Sequence, residues 1–235
     1  MQRTPDCART SLRLPPLNLT VGPQKQHAIE DFMSTVVLAT TNRGKVREFE
    51  AVLARHPAFA SWTLTTPGDL GIDIPPIEET GATFAENALL KARAVAQAVN
   101  LPALADDSGL CVDALYGAPG LHSARWAGPT ASDRERTALL LARLAAVPEA
   151  GRTARFVCAL ALVRPDGQAL ATEADCAGVI AAAPHGIDGF GYDPVFLLPA
   201  LGRTMAQLSP AEKNTLSHRA QAVTRLAETL HAFLG

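Results

Sequence analysis

Apolar residues along the chain follow two patterns, one typical of buried strands and the other typical of helices. Residues 36–39 form a continuous apolar run rich in β-branched side chains, as in a strand covered on both faces. In the next segment the apolar residues Val46, Phe49 and Val52 recur at helical spacing. The chain therefore opens with a strand, a polar turn and a helix, a unit typical of open α/β sheets.

Local signals locate the later elements. Thr83 with Glu86 is a capping box, so a helix is expected to begin there and to run to about Val99, and Ser132 with Glu135 predicts another. The remaining expected elements are strands: a short one at residues 62–64, an antiparallel hairpin of 155–163 and 168–179 joined by a Pro-Asp-Gly turn, and a final short strand at 194–198.

The C-terminal helix is predicted from three adjoining start signals: Ser209, Pro210 and Glu212. Leu216 is expected on its buried face. Lys213 and Arg219 are six residues apart, which places them off a common helical face. The two cations could reach one ligand only if the helix begins after Lys213 or if the ligand is long.

Two adjacent carboxylates, Asp106 and Asp107, follow the apolar run 101–105. We expect the strand to end there, with Gly109 permitting a sharp turn. The carboxyl ends of strands are where open α/β sheets bind ligands, so the two carboxylates are candidate site residues. Successive strand residues point to opposite faces, so the two carboxylates are expected to have different roles. An ordinary polar turn through Ser108 and Gly109 is the alternative interpretation.

The polar turn at residues 40–45 is a candidate phosphate site. Asn42 is suited to cap the following helix, whose first backbone N–H groups would face an anion. Arg43 and Lys45 add positive charge. The spacing of a Walker A loop is absent, and a plain strand–helix turn with surface cations stays open as an alternative.

Two more segments carry candidate chemistry. Glu78 and Glu79 lie just before the helix predicted from Thr83, where they either complement the helix dipole or supply a hard oxygen ligand to a divalent cation. In the glycine-rich loop 184–196, small neighbours flank Phe190 and leave its ring free to be stacked upon. A structured surface loop anchored by its aromatic residues is the alternative.

Composition narrows the class of protein. The 235 residues suffice for one large domain or two small lobes, and the net charge of −2 leaves no basic surplus to hold nucleic acid. No apolar run approaches the ~20 residues that cross a bilayer, so no membrane partner is expected. Four widely separated cysteines without a C-x-x-C pair argue against a zinc site or a disulfide framework and favour a reducing cytoplasm: Cys7, Cys111, Cys158 and Cys176.

The first thirty-two residues differ in kind from the rest. Residues 1–32 contain four prolines, scattered arginines and no sustained periodicity, which predicts a poorly ordered extension. Its arginines faintly resemble a transit peptide. The preferred interpretation is that the protein begins at Met33, so that 33–235 forms a single domain.

Acidic segments, cations at helix starts and an aromatic side chain together fit a divalent cation, phosphates and a flat base, which is a nucleotide. No thiol or Ser–His–Asp arrangement offers a protein nucleophile. The simplest chemistry is then metal-assisted attack by water.

Seven segments carry a more specific signal in this order: LATTNRGK at 38–45, EETGATFAENA at 78–88, ADDSGL at 105–110, APG at 118–120, SAR at 123–125, GFGYDP at 189–194 and SHR at 217–219. Together they resemble the inosine triphosphate pyrophosphatase family, the dITP/XTP pyrophosphatases of non-canonical purine nucleotides. The resemblance implies an elongated, two-lobed α/β fold around a long twisted mixed β-sheet, with a nucleotide cleft between the lobes. It also implies a homodimer that uses Mg²⁺ to hydrolyse ITP, dITP and XTP to the monophosphate and pyrophosphate, which cleanses the nucleotide pool.

The resemblance further implies roles for individual residues. Glu79 and Asp107 hold the metal, and Asp107 accepts the proton of the attacking water. The remaining positions bind the substrate at the triphosphate or the base, with Phe190 stacking on the base: Thr40, Thr41, Asn42, Arg43, Gly44, Lys45, Ser108, Phe190, Gly191, Tyr192, Asp193, Lys213, His218 and Arg219. The chain departs from the family pattern at Thr41 and, more mildly, at Ala220, where relatives usually carry glycine.

Two rival functions stay open at this point. One is a Maf-like pyrophosphatase that acts on other nucleotides. The other is a nucleotide-binding sensor without turnover, which the paired carboxylates at Asp106 and Asp107 disfavour.

Overall fold

A computed structural model describes residues 34–234, so the extension 1–32 and the proposed start at Met33 lie outside the described residues. Within the described part, seven strands form one open sheet in the order β2-β1-β3-β4-β5-β6-β7. The strands are β1 (Thr35–Leu38), β2 (Thr63–Thr65), β3 (Ala103–Val112), β4 (Thr153–Val163), β5 (Ala169–Ile180), β6 (Phe196–Leu198) and β7 (Arg203–Thr204). The α-helices are α1 (Arg43–Leu53), α2 (Phe84–Val99), α3 (Asp133–Arg143), α4 (Pro210–Leu216) and α5 (His218–Leu234).

The sheet is mixed, as predicted. Strand β1 pairs in parallel with β2 and β3, whereas β3 to β7 pair antiparallel. The α/β class is therefore confirmed. The predicted hairpin is confirmed as β4 and β5, but the strand expected to be the last is followed by β7. The extent of a single domain over 33–235 stays a prediction.

Helices cover the two faces of the parallel part of the sheet. Alternate residues of β1 point to opposite sides: Val36 and Leu38 pack with α1 and α5, and Val37 packs with the alanine-rich face of α2. A third apolar cluster, which includes Leu140 of α3 and Phe196 of β6, lies at the other end of the long strands. Strands β3 and β4 contribute residues to all three clusters and so connect them.

The polar segment 106–109 does not end a strand. Strand β3 continues through it to Val112, and β4 pairs with it throughout, for example Asp106 with Leu160 and Gly109 with Val157. The predicted strand end and turn at Gly109 are therefore wrong, because an antiparallel neighbour binds the backbone of the whole segment. A Cβ atom at Gly109 would lie 2.7 Å from Ser123 Oγ, so this glycine allows a close approach of the neighbouring loop.

The capping predictions are confirmed in full at two helix starts and in part at a third. Ser132 with Glu135 and Ser209 with Glu212 form both hydrogen bonds of a capping box. At α2, Thr83 Oγ1 accepts from the Glu86 backbone, but the Glu86 carboxylate reaches the N–H of the preceding residue, Ala82, at 2.6 Å.

The C-terminal helix is interrupted, which the sequence analysis did not predict. α4 ends at Leu216 and α5 begins at His218, with Ser217 in an extended conformation between them. Leu216, expected to be buried, is 41% exposed. The break reorients the chain between Lys213 and Arg219, which lie on different helices. No helix within residues 34–234 is long and apolar enough to span a membrane.

Candidate active site

The two adjacent carboxylates lie beside the end of β1. Strand β1 pairs with β3 only as far as Leu104, so Asp106 to Ser108 have β4 on one side and no β1 partner on the other. α1 and α2 cover opposite faces of the sheet here, which makes the end of β1 a topological switch point of the kind where α/β proteins bind ligands. The strand end at this site belongs to β1, and not, as predicted, to the strand that carries the two carboxylates.

Asp106 lies on the face covered by α1 and α5, within a buried group of cations. Its Oδ2 contacts Lys45 Nζ at 2.8 Å and Arg219 Nε at 3.7 Å, and it accepts a hydrogen bond from Ser108 Oγ at 2.6 Å. Burial would raise the pKa of this carboxyl, but the charges of Lys45, Arg219 and Lys91 outweigh burial and hold the pKa well below its usual range. Asp106 is therefore a permanent anion that positions cations.

Asp107 lies on the opposite face, against α2. Its Oδ1 contacts Lys91 Nζ at 3.0 Å, and its Oδ2 accepts from Asn87 Nδ2 at 3.2 Å. Burial raises the pKa of Asp107, and the Lys91 ammonium offsets that effect only in part. The predicted difference between the two carboxylates is thus a difference of environment, in which Asp107 is the more basic.

Glu79 joins the Asp107 side of the site. Lys91 Nζ lies 3.1 Å from Glu79 Oε1, and Arg125 Nη1 lies 2.9 Å from Glu79 Oε2. Burial opposes ionisation, yet Lys91 and Arg125 lower the pKa of Glu79 below its ordinary value. Its neighbour Glu78 is exposed and lies outside this group.

Glu79 and Asp107 are the residues that could hold a metal. Both carboxylates contact the single ammonium of Lys91, so both face one cationic position. Carboxylate oxygens are the ligands that Mg²⁺ prefers, and one or two of them suffice when phosphates and water complete the octahedron. Within the described residues no cluster of three or more His, Cys, Asp or Glu side chains forms a metal cage. The donor set therefore fits Mg²⁺ carried with a phosphate.

The turn before α1 is capped by its own asparagine. Asn42 Oδ1 accepts from the N–H groups of Gly44 at 2.8 Å and Lys45 at 3.2 Å, and Thr40 Oγ1 accepts from the Asn42 N–H. Thr41 and Arg43 are exposed at the tip of the turn. The turn therefore aims Lys45 into the site, while a direct phosphate contact of this turn stays a prediction.

The aromatic loop reaches the same helix start. A Cβ atom at Gly44 would lie 3.2 Å from Phe190 Cδ1, so the ring packs close to this glycine. Lys213 Nζ is 4.7 Å and Arg219 Cζ is 5.2 Å from the ring centroid. The break at Ser217 is what brings both cations to one ring. Phe190 is half-buried rather than fully exposed.

The other polar residues of this loop support it from within. Asp193 Oδ2 accepts from Lys213 Nζ at 2.6 Å and from the Phe190 N–H at 2.9 Å, and burial raises the pKa of Asp193 even with Lys213 beside it. The Tyr192 hydroxyl donates to the Ser123 carbonyl at 3.0 Å, and burial raises the pKa of Tyr192 to about 12. Their direct binding of substrate stays a prediction.

His218 and Arg219 begin α5 at the back of the site. The His218 ring stacks on Phe156, with 4.8 Å between centroids, and its pKa lies well below the ordinary value because of burial and the Arg219 charge. His218 is therefore neutral at pH 7. Arg219 donates to Glu48 Oε2 and to Ser108 Oγ, each at 3.0 Å.

The comparisons with known proteins agree with this geometry. The profile of the Ham1 family matches residues 36–229, which is most of the chain. The chain belongs to the Ham1 family. A protein of Geobacillus kaustophilus named dITP/XTP pyrophosphatase is 51% identical over 86% of this chain and 97% of its own length. One of Streptomyces avermitilis with the same name is 50% identical over 86% of this chain and its own full length.

Solved Ham1 structures have the same fold. A Ham1 protein from Coxiella burnetii is 42% identical, with a TM-score of 0.74 over 84% of this chain and 98% of that one. The Staphylococcus aureus Ham1 protein is 40% identical, with a TM-score of 0.73 over the same shares. The family resemblance drawn from the seven motifs is confirmed.

Four residues of this Ham1 site were not assigned by sequence reasoning: Glu48, Asn87, Lys91 and Arg125. Glu48 is buried, and its sequence signal was its position three residues after Lys45 on the same helical face. Asn87 and Lys91 are four apart on α2, a polar pair beside its buried alanines. Arg125 lay within a matched motif but received no role.

Proposed function

We propose that this protein hydrolyses the non-canonical purine nucleotides ITP, dITP and XTP to the monophosphate and pyrophosphate, with Mg²⁺ as cofactor. The observation that carries the proposal is the arrangement on the two faces of β3. An aromatic ring with two cations lies on the Asp106 side, and two carboxylates that share one cationic position lie on the Asp107 side. A purine with its triphosphate spans such a site past the end of β1.

Asp107 is the group proposed to accept the proton of the attacking water. Its raised pKa makes it a better base than an ordinary aspartate. Asn87 holds one carboxylate oxygen and Lys91 the other, so the side chain is oriented before substrate arrives. Bound through Glu79 and Asp107, Mg²⁺ would supply charge neutralisation for the phosphates and polarise the phosphoryl group.

Cations of the chain would stabilise the negative charge that develops on the leaving pyrophosphate. Lys45 and Lys91 approach β3 from opposite faces, and Arg125 lies beyond Glu79. The pKa of Lys91 is raised because Asp106, Asp107 and Glu79 outweigh its burial, so this ammonium stays charged throughout the working pH range. Fixed positive groups of this kind are the usual means of catalysing phosphoryl transfer.

Base selection is proposed to occur around Phe190. Hypoxanthine and xanthine carry an oxygen at C6, which the cations Lys213 and Arg219 favour, whereas adenine carries an amino group there. A buried donor left facing another donor costs about 1–3 kcal/mol, which is on the order of ten- to a hundredfold in binding. Stacking on Phe190 would hold the base in a fixed orientation relative to Lys213 and Arg219, so that the group at C6 decides the affinity.

A substrate panel tests the proposal. The purified chain is incubated with ITP, dITP, XTP, ATP, GTP, dTTP or UTP, in Mg²⁺ or in EDTA, and pyrophosphate release is measured. We expect Mg²⁺-dependent release, fastest with ITP, dITP and XTP. A preference for dTTP or UTP would instead indicate Maf-like activity. Binding of ITP without cleavage would indicate a sensor.

We also propose that the protein works as a homodimer in the cytoplasm. Tyr116 and Ile187 are 95% and 98% exposed, and we propose that the partner subunit covers Ile187. Burial raises the pKa of the Cys158 and Cys176 thiols, the latter to about 11, so both stay protonated, as suits a reducing compartment. Analytical ultracentrifugation of wild type and of an Ile187→Asp variant tests the dimer, and cell fractionation tests the location.

A further inference from the structure

The loop that carries Phe190 is fastened to α3, a helix to which no role in the site has been given. The Gly191 N–H donates to Asp133 Oδ2 at 2.7 Å, and the Thr137 hydroxyl donates to the Gly191 carbonyl at 3.4 Å. Asp133 and Thr137 are four residues apart on one face of α3. Both backbone polar groups of the residue next to Phe190 are therefore bound by side chains of this helix.

The same turn of α3 also holds the segment before Arg125. Asp133 pairs with Arg136, whose Nη1 donates to the Ala124 carbonyl at 2.9 Å. The Tyr192 hydroxyl reaches the adjoining Ser123 carbonyl at 3.0 Å. The Asp133 carboxylate thus binds the aromatic loop directly and, through Arg136, the segment that carries Arg125 to its contact with Glu79.

Gly191 needs such support because its conformation is unusual. Its φ is +64°, and nothing lies within 4 Å of the position that a Cβ atom would occupy. Glycine adopts this conformation without strain but has the greatest freedom to leave it. On the other side of Phe190, Asp193 binds the Phe190 N–H. The orientation of the ring is therefore set by hydrogen bonds to the backbone on each side of it.

We propose that Asp133 is a positioning residue for the nucleobase, which acts by holding Gly191 so that Phe190 presents its ring to the purine. The inference rests on the proposed function, because it takes Phe190 as the stacking platform. Asp133 touches no reacting group in this assignment. Its loss should weaken substrate binding and leave the chemical step at Asp107 nearly unchanged.

Three variants of the full chain separate this role from general stability. Asp133→Ala removes the acceptor for Gly191. Asp133→Asn keeps an acceptor oxygen but removes the charge that pairs with Arg136. Arg134→Ala changes an exposed residue of the same turn and is the matched control. Thermal unfolding of each variant establishes that the fold is retained.

The first measurement is hydrogen exchange at the loop amides of residues 188–193. The proposal expects faster exchange there in Asp133→Ala, with α1, α2 and β3 unchanged, and wild-type exchange in Arg134→Ala. The second measurement is calorimetric affinity in Mg²⁺ for an ITP analogue with a non-cleavable bridge between the α- and β-phosphates, so that the metal is present and turnover is stopped. We expect roughly tenfold weaker binding in Asp133→Ala, since a hydrogen bond to a charged acceptor contributes about that factor, and a smaller loss in Asp133→Asn.

A double-mutant cycle with Phe190→Ala decides whether Asp133 acts through the ring. The proposal expects Asp133→Ala to weaken ITP binding in the wild-type background and to have almost no further effect in the Phe190→Ala background. Equal effects in both backgrounds, unchanged affinity, or unchanged loop exchange would each overturn it. So would a fall in kcat as large as the rise in KM.

Turnover of ITP by the wild type in Mg²⁺ is measured separately, which distinguishes failure of the proposed function from failure of the Asp133 proposal. A wild type that binds ITP but does not cleave it refutes the proposed function and leaves the Asp133 comparison decisive. A wild type that binds no ITP overturns both.

Discussion

Replacing Asp107 with asparagine removes one negative charge and one proton acceptor while preserving the shape of the side chain. Asn87 Nδ2 and Lys91 Nζ each donate to one carboxylate oxygen, at 3.2 Å and 3.0 Å, so the single amide oxygen of an asparagine can accept from only one of them and its NH2 group faces the other donor. Because burial raises the pKa of Asp107, the fold does not depend on the ionised form at this position. We therefore expect a folded variant that is destabilised by about 1–3 kcal/mol, the cost of the donor that loses its acceptor.

Its activity should fall steeply. Loss of a general base alone lowers kcat by about 10²–10⁴-fold, which is roughly 3–5 kcal/mol in the barrier, and a weakened metal site adds to the loss. The assay is pyrophosphate release from ITP at saturating Mg²⁺, with circular dichroism and thermal unfolding on the same samples. A variant with turnover like that of wild type would refute the role given to Asp107.

Asp106→Asn is the matched comparison, one residue away on the other face. Asp106 compensates Lys45 and Arg219 in a buried environment, and its pKa is held below the usual range. Removing one member of such a buried group costs on the order of 3–5 kcal/mol of folding stability. Asp106→Asn should therefore be destabilised more strongly than Asp107→Asn, whereas Asp107→Asn should lose more activity than its stability change explains. Identical behaviour of the two variants would contradict the division between the faces.

Three further predictions follow from individual contacts. Phe190→Ala should raise KM for ITP by about tenfold with a much smaller effect on kcat, because stacking on a base contributes roughly 1–3 kcal/mol; a larger fall in kcat would contradict this. Gly109→Ala should cost about 1–3 kcal/mol or more in urea unfolding, since its Cβ would lie 2.7 Å from Ser123 Oγ, and a wild-type midpoint would count against that contact. His218 has a folded-state pKa well below 6.5, so its unfolded state binds more protons below that pH and stability should fall as the pH drops from about 7 towards 5. The contribution of His218 to the slope of unfolding free energy against pH is at most about 1.4 kcal/mol per pH unit. His218→Phe should remove this contribution in urea unfolding measured across this pH range.

Much of the site followed from local sequence. The cap at Asn42 and the capping box at Ser132 were readable because they depend on residues three or four positions apart. The placement of Asp106 and Asp107 on opposite faces followed from the alternation of side chains along any extended strand. The seven motifs sufficed to identify the family, since each retains its spacing irrespective of the loops between them.

Long-range pairing decided what local sequence could not. Asp-Asp-Ser-Gly has the composition of a turn, yet residues 106–109 are a strand because β4, some fifty residues away in sequence, binds their backbone. The position of Glu48 three residues after Lys45 places both on one helical face, but its ion pair with Arg219 of α5 spans 171 residues of sequence. These contacts join residues far apart in the chain, so no local pattern records them.

The C-terminal cations show the same division. The sequence by itself determined that Lys213 and Arg219 do not share the face of one continuous helix, but it predicted no break between them. The tertiary structure brings the two cations together by ending one helix at Leu216 and starting the next at His218, so that both cations face Phe190. The physical reason is that helical spacing is a local property of the backbone, whereas the direction of each helix is set by what it packs against.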